Sequence, residues 1–206
     1  MLISKYLLTS NGFNTEAIKT VFLENMDKAP SESRVSIITT ASPLKEENKY
    51  AQKAKEDLKD MGFKFVHYVD LEFDDPEVLL NSDVVYINGG NPFHLLFHIK
   101  KSGAEKIFQR LSQEETIFVG VSAGSLILGP NIKVVQFFTP NMNTLQLEDL
   151  AGLNLIHTII FPHYDREDIF KDHTGKSIEE RLIKFEKLHN CLVHRIKDDQ
   201  YILLEH

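Results

Sequence analysis

The chain has 206 residues, 42% hydrophobic and 26% charged, with a formal net charge of −7. That length suits one α/β domain over residues 1–206 with a substantial core. The acidic balance, 23 basic against 30 acidic side chains, argues against a nucleic-acid partner, which would want a basic face.

Short β-branched runs alternate with longer amphipathic stretches along the chain. Tyr6 to Thr9 reads as a first strand, and Thr15 to Met26 as a helix with Ala17, Ile18, Val21 and Phe22 on one face. Val35 to Thr40 is a buried-type strand, after which Ser42-Pro43 is expected to cap and open a charged helix to about Met61. Phe63 to Val66 and Val84 to Ile87 read as the third and fourth strands. Asn91-Pro92 opens the next helix, a further helix covers Ala104 to Leu111, and a fifth strand, Ile117 to Val119, runs straight into Ser122. Beyond Pro130 the expected elements are strands at Ile156 to Phe161 and Cys191 to Ile196, a helix at Ile178 to Leu188, and a last strand at Tyr201 to Leu204. The last two strands can be joined as a hairpin through Asp198-Asp199-Gln200. Strands and helices in this alternation predict βαβ crossovers, hence a three-layer α/β/α fold with a mostly parallel central sheet.

One cysteine, Cys191, leaves no internal disulfide. The run Met1 to Leu8 is interrupted by Lys5 and too short for a secretory leader. No stretch approaches the ~20 apolar residues of a membrane span. A cytoplasmic protein, monomeric or homodimeric and without a membrane partner, is expected.

Gly120-Val121-Ser122-Ala123-Gly124 follows a strand and precedes a helix, the pattern of a nucleophile elbow. A serine there stands clear of the sheet, the glycines let strand and helix cross closely, and the Ala123 N–H faces a developing oxyanion. The same pattern also serves as a plain packing turn. Asn88-Gly89-Gly90-Asn91-Pro92 is a second glycine turn before a helix. It reads either as the other half of an oxyanion hole, through the Gly90 N–H, or as an anion cradle. No Gly-Lys-Ser/Thr follows, so a P-loop is excluded and no cofactor is expected.

A serine of ordinary pKa needs a base within hydrogen-bond reach. Among nine histidines, His163 in Phe161-Pro162-His163-Tyr164 comes directly after a predicted strand and is the expected base. His94 and His98 have the i, i+4 spacing of a helical metal pair, but Leu95 replaces a metalloprotease glutamate and no third ligand is evident, so no metal is expected. His67, His157, His173, His189, His194 and His206 have no local context that marks them. For the acid that orients the base, Asp198, Asp199, Glu148 and Asp149 all remain open. Asp165 reads as a cap for Arg166 to Phe170.

Four segments together resemble the dipeptidase E and cyanophycinase family of serine peptidases, which have a class I glutamine amidotransferase-like fold. They are Thr9-Ser10-Asn11, Gly89-Gly90-Asn91-Pro92-Phe93-His94-Leu95-Leu96, Gly120 to Gly124 and Pro162-His163-Tyr164. The resemblance implies Ser122 as nucleophile, His163 as general base, the backbone of Gly90 and Ala123 as oxyanion hole, and Asp198 as the third member. It implies a small-peptide substrate, with Asn91 and Arg181 at the substrate. An aspartyl preference would need a cation in the pocket. Of two arginines expected in the helix after the base, Arg181 is present and Ile178 stands for the other. An elbow alone would also fit an α/β-hydrolase-type esterase, and the fold alone a non-catalytic binding protein.

Overall fold

The structure is a computed structural model that describes residues 4–205. His206 and the first three residues of the N-terminal run lie outside the described residues. Among the described residues there are eight strands and seven α-helices: β1 Lys5–Thr9, α1 Glu16–Glu24, β2 Arg34–Ile38, α2 Lys49–Asp60, β3 Phe65–Val69, β4 Val84–Ile87, α3 Pro92–Ser102, α4 Ala104–Leu111, β5 Ile117–Val121, α5 Ala123–Leu128, α6 Lys133–Phe138, β6 Ile159–Phe161, α7 Ile178–His189, β7 Val193–Arg195 and β8 Tyr201–Glu205.

Six strands form one sheet in the order β3-β2-β4-β5-β1-β8, all parallel except β8, which runs antiparallel to β1. The central strands β4 and β5 are buried at every position, whereas the edge strand β3 is buried only at Val69. This accounts for the unbroken apolar runs of the middle of the sheet, because strands covered on both faces have no solvated side to keep polar. Val84 and Tyr86 pack with Ile18, Phe22 and Leu58 from α1 and α2 on one face. Val85 and Ile87 pack with Phe93, Leu96 and Phe108 from α3 and α4 on the other. The three-layer α/β/α architecture follows from that period-two division.

Three local expectations are corrected. Ser42-Pro43 does not open the long helix: α2 starts at Lys49 with Asn48 as its cap, and a 3₁₀ turn at Lys45–Glu47 intervenes. Ser42 instead accepts from Leu44 N–H and Asn48 Nδ2, which closes a local turn. The last two strands do not form a hairpin. β8 leaves to pair with the edge of β1, while β7 pairs in parallel with β6 as a separate two-stranded ladder. Residues 166–170 form turns rather than a helix. Among the described residues no helix is long and apolar enough to cross a membrane.

Candidate active site

The carboxyl ends of β1, β4 and β5 lie side by side, and the site grows from them, as is usual for open parallel sheets. β5 ends at Val121. Ser122 then turns the chain with φ 50° and ψ −106° before α5 begins at Ala123. A left-handed φ at a non-glycine residue costs about 1–3 kcal/mol and persists only where packing enforces it. Here the Ser122 N–H donates to the Thr9 carbonyl (2.9 Å), and buried Ser125 Oγ lies 2.8 Å from both the Thr9 and Gly120 carbonyls. Behind the turn Gly124 presses on β4, where a Cβ would run into the Ile87 carbonyl. Gly124→Ala is therefore expected to cost about 1–3 kcal/mol by overpacking. Thermal unfolding of the purified variant reads that loss, and an unchanged melting temperature would refute the close approach.

The glycine turn after β4 brings a second backbone donor. Gly90 has φ 146°, and a Cβ on it would collide with the Ala41 carbonyl, so only glycine fits between that strand end and α3. The Asn91 N–H bonds that same carbonyl at 2.8 Å. The Asn91 side chain accepts from Phe93 and His94 N–H and donates to the Met142 carbonyl. Asn91 lines a cavity at the site, but its amide is already committed to holding the loop. Neither the Gly90 nor the Ala123 N–H meets an acceptor among the described residues.

His163 follows β6 and also has a left-handed φ, 58°. Its N–H donates to Ser10 Oγ (2.9 Å), and that hydroxyl donates to the Ile196 carbonyl (3.0 Å). The ladder of β6 and β7 continues past its ends, with Ile196 N–H on the Phe161 carbonyl and Tyr164 N–H on the Ile196 carbonyl. These bonds carry residues 196–198 alongside the histidine. The ring bridges two groups: Nδ1 lies 2.6 Å from Asp198 Oδ1, and Nε2 lies 3.0 Å from Ser122 Oγ. A carboxylate can only accept, so Nδ1 carries the proton and Nε2 faces the serine as an acceptor.

Asp198 is itself fixed on three sides. Arg166 Nη1 donates to Oδ2 (3.2 Å), Asp165 Oδ1 accepts its N–H (3.0 Å), and Asn14 Nδ2 donates to its carbonyl (2.6 Å). Arg166 also forks onto Asp168, and the two carboxylates, Asp168 foremost, raise its pKa further. Asp165 thus braces the acid's backbone rather than capping a helix. The other acids considered lie elsewhere: Asp199 and Glu148 are exposed, and Asp149 pairs with Lys100 at 2.6 Å.

Two cavities meet at Ser122 and His163. One, of about 300 Å³, sets polar groups of Ser10, Lys53, Asp57 and Asn88 among apolar walls that include Phe13, Ala41, Pro43 and Val121. Asn88 is 1% exposed, and its Nδ2 has no partner among the described residues. Burial pushes the Tyr86 phenol pKa well up, with the Asp57 charge adding to it. The other, of about 270 Å³, is apolar, walled by Leu126, Val135, Phe138, Phe161, Ile169 and Phe170, with no lysine or arginine among the described residues of its lining. Arg181, expected at the substrate, is buried behind this wall. It stacks on the Phe138 ring at 4.0 Å and donates to the Phe170 and Phe138 carbonyls. Two of its five N–H donors are taken by these carbonyls, and Arg181 is not among the described residues that line either cavity. Ser10 and Arg166 had no chemical role in the sequence reading, since Ser10 meets His163 across 153 residues and Arg166 meets Asp198 across 32.

An α/β sheet with a serine, histidine and carboxylate in contact at its carboxyl edge defines the class, that of the serine-type hydrolases. The chain belongs to peptidase family S51, whose model matches residues 6–206, and it is a peptidase of the serine type. It is 31% identical to an uncharacterised peptidase of Listeria monocytogenes serovar 1/2a over 150 residues, 71% of this chain and 72% of that one. It is 26% identical to Peptidase E of Streptomyces coelicolor across 100% of this chain and 80% of that one. A crystal structure from Listeria monocytogenes EGD-e, described as a candidate Peptidase E protein, has the same fold: TM-score 0.76, 24% identity, 98% of this chain and 95% of that one covered.

Proposed function

We propose that the protein hydrolyses short peptides through an acyl-enzyme on Ser122. The observation that carries this reading is the unbroken chain of contacts from Ser122 Oγ through His163 to Asp198. His163 Nε2 takes the hydroxyl proton as Oγ attacks the scissile carbonyl, and the Gly90 and Ala123 N–H groups receive the oxyanion. The imidazolium, held by Asp198, then gives its proton to the leaving amine. Water resolves the ester by the same steps in reverse order. The contact of His163 with Asp198 supports this reading over a non-catalytic one, which the undecided acid had motivated.

Substrate choice follows from the two cavities. The apolar one accepts an uncharged, apolar side chain, because a carboxylate buried there without a cation is costly. The mixed one offers the unmatched Asn88 amide to an acceptor on the substrate, while Lys53 is already paired with Asp57 at 3.0 Å. Short peptides with an apolar residue beside the scissile bond are therefore expected to exceed aspartyl peptides by about tenfold or more in kcat/KM. A matched peptide panel measures this, and a clear aspartyl preference would overturn the assignment of the apolar cavity. Absence of turnover of any short peptide, with simple esters cleaved, would overturn the peptidase mechanism on Ser122.

A further inference from the structure

We infer that Glu72, His94 and His98 form a binding site for a divalent ion of the zinc class. The two histidines lie one turn apart on α3, and the fold brings the third donor from the loop after β3. One ligand atom from each residue lies within 4.8 Å of the others. Both imidazoles aim Nε2 at the same carboxylate, His94 at 3.5 Å from Oε2 and His98 at 3.9 Å from Oε1. These separations are too long for good hydrogen bonds. They are close to the ~3.3 Å between two ligand atoms that each sit ~2.0–2.1 Å from a tetrahedral ion. Small rotamer adjustments would close the set around one ion, leaving the fourth position to water.

The surroundings favour an ion of this kind. His98 is buried and its ring is held against Phe97 at 5.0 Å, while Glu72 and His94 are partly open to solvent and leave an entry path. Two nitrogens and one oxygen suit zinc, cobalt or nickel rather than magnesium or calcium, which prefer oxygen throughout. Lys45 now pairs with Glu72 at 2.5 Å, and also with Asp70 at 3.0 Å. When Glu72 turns to the ion, Lys45 keeps Asp70 as partner, so its charge is not stranded. The ion would clamp the first turns of α3 to the loop after β3. His94 N–H is bonded to Asn91 Oδ1, which places the clamp directly behind the Gly90 turn.

Zinc titration of tag-free, chelator-stripped protein by calorimetry tests the site, with cobalt absorption as a second readout of tetrahedral ligation. The expected result is one ion per chain and a raised melting temperature. Glu72→Gln and His98→Asn should each weaken binding roughly tenfold or more, the scale that even outer-shell changes reach. Lys45→Met should tighten it, because the competing cation is gone. That variant leaves all three ligands in place should His98→Asn fail to fold. His163→Asn should bind zinc as the wild type does. No zinc uptake by the wild type, unchanged affinity in Glu72→Gln and Lys45→Met, or loss of uptake in His163→Asn alone would overturn the proposal.

Discussion

Ser122→Ala is expected to abolish both peptide turnover and labelling by a fluorophosphonate, with kcat falling by about 10⁶-fold where a triad serine is removed. The size of the effect follows from the geometry. Ser122 Oγ makes its hydrogen bond to His163 and caps no backbone group of α5. What holds the turn is its own N–H on the Thr9 carbonyl, together with Ser125 and the two glycines. Alanine keeps all of these, so the variant should fold and melt close to the wild type. Intact mass would then show a single probe adduct on the wild type and none on the variant. Labelling of the folded variant, or peptide turnover within about a hundredfold of wild type, would remove Ser122 from the mechanism.

Asp198→Asn is expected to lower kcat by about 10⁴-fold. The carboxylate accepts from His163 Nδ1 at 2.6 Å and from Arg166 at 3.2 Å, so it selects the tautomer that leaves Nε2 free for the serine. An amide can turn its NH₂ toward Nδ1 and select the other tautomer, in which Nε2 is protonated and cannot act as a base. Arg166→Met, which acts only through Asp198, should cost far less, and its loss should fall on kcat rather than KM. Asp199→Asn, Glu148→Gln and Asp149→Asn should leave kcat within about twofold, as expected of exposed surface acids. Steady-state kinetics on this series separates the assignments. If Asp198→Asn stays within about tenfold of wild type while another member collapses, the acid has been misassigned.

The parts of the site legible in the sequence are those set by short-range sterics. Gly120 to Gly124 and Gly89 to Asn91 read as turns because backbones approach there: a side chain on Gly124 would strike Ile87, and one on Gly90 would strike Ala41. The alternation of apolar runs gave the layers, since its periods of two and 3.6 reflect which side of each strand or helix is covered. The cap at Asn91 was legible for the same local reason, whereas Ser42-Pro43 misled because Asn48 offers a competing cap six residues on.

The sequence by itself determined an α/β chain, a serine on a tight turn after a strand, and a histidine directly after a strand as its expected base. The residues by themselves left four acids open and the resemblance pointed to Asp198; the tertiary structure puts Asp198 2.6 Å from His163 Nδ1, a contact that spans 35 residues and depends on β7 lying beside β6. It sent β8 to the far side of β1 instead of into a hairpin, turned Arg181 into a brace for the apolar wall, and carried Glu72 to His94 and His98. The physical reason is the same in each case. Local patterns follow from backbone sterics and burial period, which a short window contains. Partners brought together by sheet order and side-chain packing depend on the whole chain's solution to burying its core.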